Sequence, residues 1–398
     1  NACNRGLLQA VSFPLERGGM PSYKLATETI LPMNEFKYRA DIDGLRALAV
    51  SLVLLFHAGL GFPGGFVGVD VFFVISGFLI TGILWKKEQE IHLSEFWIRR
   101  TRRILPASLV VVAATLVAGY VILLPSDFSS LAKSAIAQQA MVSNVFFWRN
   151  TGYFSGDAEL KPLLHTWSLG VEEQFYLGYP LLVSVLRRFS RRTATASLAA
   201  MFVVSFAMSE WGIQTRPSAA FFLLPTRAWE MIMGGLLQIA PVTSRPNKTL
   251  SCLLEAVGLT AILAPALLYG PSTRFPALSA LPPCLGAALI IHANSHDHNI
   301  LGKLLSTKPA VYVGLLSYSL YLWHWPILSY LKHINCGATP SLLSRISALA
   351  ASFVISAVTM RFIETPFRSR KLLPQTKHLI LATALSSIFI VGCSSLIV

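Results

Sequence analysis

Arg46 and His57 lie eleven residues apart within an otherwise apolar run at 45–61. At 100° per residue a helix returns them to within about 20° of the same face, three turns and roughly 16 Å apart. An ionisable group at mid-bilayer costs about 3 kcal/mol on insertion scales, so such residues face a protein interior or a wet cavity and mark a functional path. An imidazole, with an unperturbed pKa of about 6.5, suits proton abstraction from a hydroxyl. A guanidinium on the same face can set its position.

Further clusters carry chemistry-bearing side chains. Arg99, Arg100, Arg102 and Arg103 are four arginines in five residues directly before an apolar run. They can be a positive-inside anchor or, because a guanidinium fork binds phosphate oxygens bidentately, a clamp for a phosphorylated donor. His165, Ser168, Glu172 and Tyr176 follow a three-and-four spacing that stacks them on one helical stripe, with Trp167 beside them. Glu172 could pair with Arg46 or orient His57; the alternative is a buried polar network that holds helices together. Ser76-Gly77 sits mid-span, where a glycine lets another helix approach, and Asp70 lies near the end of the same span. Arg227 and Glu230 are one turn apart and could pair. Tyr321, Trp323, His324 and Trp325 read by default as an interfacial aromatic belt, although indole faces beside a polar pore would equally suit a sugar ring.

The elements that must position these residues are apolar helices. Of 398 residues 54% are hydrophobic and only 13% charged, and mean hydropathy is +0.57, which marks an all-α polytopic membrane protein. Apolar runs of spanning length fall at 45–61, 66–85, 104–124, 163–186, 197–215, 219–240, 251–270, 276–293, 311–331, 342–363 and 378–398. The segment 131–148 is interrupted by Lys133, Gln138, Gln139 and Asn144. If it does not cross, the basic loops at 86–103, 187–192, 245–248, 303–308 and 368–377 all fall on one side, which satisfies the positive-inside rule. That places the N-terminus in the cytoplasm, the C-terminus outside and 125–162 as an external excursion. The net charge of +14 is then a rim facing anionic headgroups of the bilayer and calls for no nucleic acid. Five scattered cysteines without a CxxC pair suggest neither a disulfide framework nor a zinc site. His292, His296, Asp297 and His298 read as a solvated polar loop rather than metal ligands, so no metal is expected. Residues 1–32 lack the apolar core of a signal peptide, and Met33 is a more natural start; the extension at 1–35 is expected to be disordered or not native.

Several of these motifs occur together and in order in one family. Asp43-Gly-Leu-Arg-Ala, Phe56-His57, Ser76-Gly77-Phe, Arg100-x-x-Arg103 with Pro106, Leu164-His-Thr-Trp-Ser-Leu with Glu172-Glu-Gln-Phe-Tyr, Pro225-Thr-Arg-Ala-Trp-Glu and Ser317-Tyr-Ser-Leu-Tyr-Leu-Trp-His closely resemble the type 3 integral-membrane acyltransferases of bacteria. The resemblance covers about 36–398. It implies a ten-span acyltransferase domain at 36–370 in the bacterial inner membrane, and transfer of an acyl group, most often acetyl, from acetyl-CoA or another acyl-CoA to a hydroxyl of a cell-envelope carbohydrate such as lipopolysaccharide O-antigen. It implies that His57 is the general base, that Arg46 is essential, and that Arg100 and Arg103 serve the acyl-CoA donor. One branch of the family adds an eleventh span leading to an external SGNH-type hydrolase-like domain. Residues 371–398 resemble that linker and span, without a Gly-Asp-Ser nucleophile block, so an external SGNH-type domain or a separate partner is the expected complement. Intramembrane Arg, His and Glu stripes also build transporters of acylated sugars or proton-coupled solutes. Inverted internal repeats, which would favour transport, are not visible.

Overall fold

The computed structural model describes residues 38–85, 92–150, 156–240, 247–295 and 299–398. The chain divides into a unit ending at Arg39 and a unit Ala40–Val398, and the second carries everything described below. The expectation for 1–32 and the His296, Asp297 and His298 part of the polar loop lie outside the described residues.

Among the described residues every regular element is helical. The order is α1 (Ala40–His57), α2 (Gly68–Leu84, entered through a 3-10 turn Gly65–Val67), α3 (Leu93–Ile122), α4 (Pro125–Gln139), α5 (Ser143–Asn150), α6 (Thr166–Leu186), α7 (Arg191–Thr215), α8 (Pro217–Phe222), α9 (Leu224–Ile239), α10 (Lys248–Leu268), α11 (Leu281–Ala293), α12 (Ile300–Leu305), α13 (Lys308–Ile334), α14 (Leu342–Thr359), α15 (Thr365–Arg368, reached through a π turn Met360–Glu364) and α16 (Thr376–Ser395).

Among the described residues, six helices are long and apolar enough to cross a membrane: Gly65–Leu84, Leu93–Ile122, Arg191–Thr215, Lys248–Leu268, Leu342–Arg368 and Thr376–Ser395. Eleven apolar runs were expected, and the difference has a physical cause. Helix α1 carries Asp41, Asp43 and Arg46, α6 carries Glu172, Glu173 and Gln174, and α9 has only 16 residues. These helices, with α13, trade hydropathy for polar side chains and are shielded by protein. By contrast, the apolar windows of α7 and α16 are only 28% and 22% buried, which places these two helices on the perimeter, whereas the apolar window of α2 is 78% buried.

Segment 131–148 is two helices, α4 and α5, broken around Met141, which has positive φ. At 1.5 Å per residue neither crosses a bilayer alone. Asn144 and Gln174 exchange side-chain hydrogen bonds at 2.8 and 3.3 Å, and Gln174 also donates to the Met141 carbonyl at 3.0 Å. The break is thereby tied to α6.

Two helix pairs set the interior, α1 against α13 and α2 against α9. At both crossings backbones touch because a side chain is missing. A Cβ on Gly77 would lie 1.7 Å from the Met231 carbonyl oxygen, and one on Gly314 would lie 1.8 Å from that of Asp43. The packing reading of Gly77 holds. Proline shapes the interior differently: Pro180 has no N–H for the Tyr176 carbonyl one turn back, and Trp97 Nε1 on α3 donates to that carbonyl at 3.0 Å. At the C-terminal end, the buried Arg102 donates to the Leu373 and Pro374 carbonyls at 2.8 and 2.9 Å. Arg102 thus anchors the turn before α16, which lies along α3 and α4.

Substituting Gly77 by Val should lower the melting temperature of detergent-solubilised protein by an amount corresponding to about 2 kcal/mol or more, because well-packed backbones must separate. Gly178, with open space where its Cβ would be, should accept Ala with no loss.

Candidate active site between two cavities

The described polar residues gather into two cavities at opposite ends of α1. The first, of about 90 Å³, is lined by Arg46, Arg100, Arg103, Glu172, Tyr176 and Tyr321, among others. Arg46 donates to Asp43 Oδ1 at 3.2 Å and to Ser317 Oγ on α13 at 2.9 Å. It therefore ties α1 to α13 and does not pair with Glu172. Glu172 instead accepts from Ser76 Oγ at 2.7 Å and from the Tyr176 hydroxyl at 3.0 Å, bridging α6 to α2.

Two of the four clustered arginines turn to this cavity. The Arg100 guanidinium lies 4.5 Å from the Tyr176 ring centroid, a cation–π contact that holds it over the opening. Neither Arg100 nor Arg103 makes an ion pair among the described residues. Arg99 is exposed and pairs with Glu95 at 3.2 Å. Neither Arg99 nor Arg102, which donates to the Leu373 and Pro374 carbonyls, lines this cavity. A guanidinium committed to backbone carbonyls has no fork to offer a ligand.

The second cavity, of about 340 Å³, is lined by His57, Trp325, Ser329, Lys332 and Arg345, among others. Arg345 Nη1 donates to the Ala58 and Gly59 carbonyls, both at 3.0 Å. It satisfies the C-terminal carbonyls of α1 where an intrahelical donor is missing and so fixes the turn that carries His57. Lys332 and Glu159 form an ion pair at the rim. The volume falls at the lower end of the range for small-molecule sites.

His57 lines the second cavity, and His324 lies against it on α13, between Tyr321 of the first cavity and Trp325 of the second in the chain. His57 Nδ1 is 2.9 Å from His324 Nε2, with the rings stacked at 15° and 5.1 Å between centroids. The Trp325 and His57 rings meet edge to face, with 4.4 Å between centroids. His324 is 0% exposed, and its Nδ1 is 3.0 Å from the Leu320 carbonyl. The belt reading of His324 is thus overturned: this face of α13 packs on α1 because Gly314, further along, lets the helices close. Tyr321 is also buried and belongs to the same wall. Its hydroxyl donates to the His165 carbonyl at 3.0 Å and accepts from Ser168 Oγ at 2.7 Å. The His165 ring lies 5.9 Å from that of His324. Of the expected stripe, Ser168, Glu172 and Tyr176 line the first cavity and His165 lies in the wall.

Asp70, Arg227 and Glu230 form a separate, fully buried ion cluster. Arg227 donates to Asp70 at 2.8 Å and lies 3.2 Å from Glu230. Phe73, Trp167, Phe221 and Phe275 surround its guanidinium at 5.4 to 5.7 Å. The expected Arg227–Glu230 pair forms, and Asp70 finds the cation that its burial requires. None of the three lines either cavity, so the cluster locks α2 to α9, and Trp167 serves its aromatic box.

Sequence reasoning missed Glu173, Tyr318 and Arg345. Glu173 is 8% exposed and faces the first cavity; its spacing of three from Tyr176 on α6 was a usable signal. Arg345 carried no such signal, because its partners are backbone carbonyls far away in sequence.

The chain matches the acyltransferase-domain family over residues 39–361. It is 34% identical over 355 residues to a peptidoglycan O-acetyltransferase, OatA, of Listeria monocytogenes, an alignment covering 83% of this chain and 56% of that protein. It is 32% identical over 356 residues to the O-acetyltransferase OatA of Staphylococcus aureus, covering 84% and 58% respectively. The chain thus spans little more than half the length of these relatives. No solved structure matches it. Sequence motifs, family match and relatives agree, and this membrane protein belongs to the type 3 integral-membrane acyltransferase family.

Proposed function

We propose that the chain transfers an acyl group, acetyl in the simplest case, from a cytoplasmic acyl-CoA to a hydroxyl of a cell-envelope carbohydrate. The observation that supports this reading is the arrangement of two cavities, one lined by Arg100, Arg103 and Tyr321 and the other by His57 and Trp325, with His324 in contact with both Tyr321 and His57. The donor's phosphates would rest on Arg100 and Arg103 at the mouth of the first cavity, with the pantetheine arm running past Tyr176 and Arg46 toward Tyr321. The acceptor would enter the second cavity, where the Trp325 indole suits the apolar face of a sugar ring.

In the chemical step His57 Nε2 takes the acceptor hydroxyl proton as the oxygen attacks the thioester carbonyl carbon. The carbon–sulfur bond breaks as the tetrahedral intermediate collapses, and the proton passes from His57 to the departing thiolate, giving an ester and free CoA. Transfer requires the thioester to reach past Tyr321 to the hydroxyl held at His57 in a near-attack geometry.

The name of the Listeria relative favours peptidoglycan over lipopolysaccharide as the acceptor class. Because the relatives are longer, an external SGNH-type domain or a separate partner remains part of the proposal, as do the inner-membrane location, a cytoplasmic N-terminus, an external C-terminus, and ten spans with an eleventh.

Transfer of label from radioactive acetyl-CoA to carbohydrate, in oriented vesicles containing the full chain, tests this reading. His57→Ala should lower transfer by about 100-fold or more, the range of general-base catalysis, at unchanged CoA binding; retained transfer refutes the base assignment. Arg103→Ala should weaken acyl-CoA binding about 10- to 100-fold, as loss of a charged hydrogen bond does. Arg102→Ala should leave CoA affinity intact while making the 369–375 turn sensitive to protease. Absence of CoA binding in the parent chain would favour a transporter.

A further inference from the structure

We infer that Glu173 recognises the pantetheine arm of the acyl donor, accepting a hydrogen bond from one of its amide N–H groups. The inference rests on the reading of the first cavity as the donor site. It adds to that reading a contact that separates a pantetheine thioester from other acyl donors.

Glu173 is 8% exposed and lines the first cavity, yet its carboxyl has no hydrogen-bond or ion-pair partner among the described residues. Its neighbour Glu172 is occupied by Ser76 and Tyr176. The tyrosine hydroxyls of the same walls are spent elsewhere: Tyr176 on Glu172, Tyr318 on the Ile104 carbonyl at 2.8 Å and Tyr321 on the His165 carbonyl. Glu230 also lacks a hydrogen bond, but both its oxygens are sealed in protein beside Arg227. Glu173 instead opens onto the cavity. A buried carboxyl without a donor gives up hydration and receives nothing in return. A binding site carries such a group at a cost to stability when the missing donor arrives with the ligand.

Both amides of a pantetheine arm carry an N–H, and depth selects one. Ser168 on α6 bonds the Tyr321 hydroxyl, the point toward which the thioester is directed. Glu173 lies five residues further along α6, a rise of about 7.5 Å. In an extended arm, at roughly 1.2 Å per bond, the outer amide nitrogen is seven bonds or about 8 Å from the sulfur, and the inner one, three bonds away, falls short. Tyr176, whose ring holds the Arg100 guanidinium, follows three residues after Glu173. Thiol, outer amide and phosphates thus meet Tyr321, Glu173 and Arg100 in the order in which α6 presents them.

Equilibrium binding to the full chain in nanodiscs tests this with two probes. One is CoA; the other is adenosine 3′,5′-bisphosphate, which keeps nucleotide phosphates and has no arm. Glu173→Ala should weaken CoA binding about 10- to 100-fold, the loss expected for a hydrogen bond to a charged group, and leave the bisphosphate within about 2-fold of the parent. Glu173→Gln keeps an acceptor oxygen and should hold CoA within about 5-fold of the parent. Arg103→Ala should weaken both probes. A Glu173→Ala protein that binds CoA like the parent, or that loses both probes together, overturns the inference, as does Glu173→Gln matching Glu173→Ala. A parent that binds neither probe overturns the donor-site reading itself, and the inference with it.

Discussion

An ionisable side chain inside a membrane-embedded bundle must find a partner of its own, and the interior of this molecule is organised by that requirement. Arg46 is satisfied by Asp43 and by Ser317, which lies on α13. Arg227 is satisfied by Asp70, which lies on α2, and by Glu230. Glu172 is satisfied by Ser76 and Tyr176. Each pairing joins helices, and the joined pairs α1–α13 and α2–α9 are those that Gly314 and Gly77 allow to touch. Breaking such a pair leaves one charge buried and uncompensated, which costs about 3–5 kcal/mol. The polar residues that resemble a site therefore also hold the fold.

That double role explains a division of labour among the helices. Those on the perimeter are apolar, expose large side chains such as Val203, Trp211 and Phe389, and contribute to the cavities chiefly the arginines at the start of α3 and Arg345 on α14. Interior helices accept carboxylates, guanidinium groups and imidazoles because neighbouring helices, rather than lipid, surround them. Proline contributes by releasing carbonyls into this interior, as Pro180 does for Trp97.

Much of the candidate site was legible in the sequence because its residues are wrong for lipid. Arg46, His57 and Glu172 stood out against apolar surroundings, as did Arg227 and Glu230 of the separate ion cluster, and helical spacing grouped Ser168, Glu172 and Tyr176 on one cavity wall. Pairing was less legible. Glu172 was open to Arg46 or His57 and chose Ser76 and Tyr176, because partners across helices depend on register and on glycine contacts that spacing within a single helix does not encode. The motif Arg100-x-x-Arg103 already set that pair apart from Arg99 and Arg102, but where Arg102 goes was not legible: it spends its donors on carbonyls 271 and 272 residues away. His324 was masked by Trp323 and Trp325, whose types suggest an interface although the helix face is buried. The number of spans was blurred because the helices carrying the chemistry are those whose hydropathy the chemistry lowers.

The central claim is that the two cavities serve two substrates, with the donor on the arginine side. A structure of the full chain with bound CoA tests it most directly. The account predicts phosphate oxygens within hydrogen-bond distance of Arg100 and Arg103 and the thiol directed toward Tyr321. Density for CoA in the second cavity instead, against Lys332 and Arg345, would contradict it.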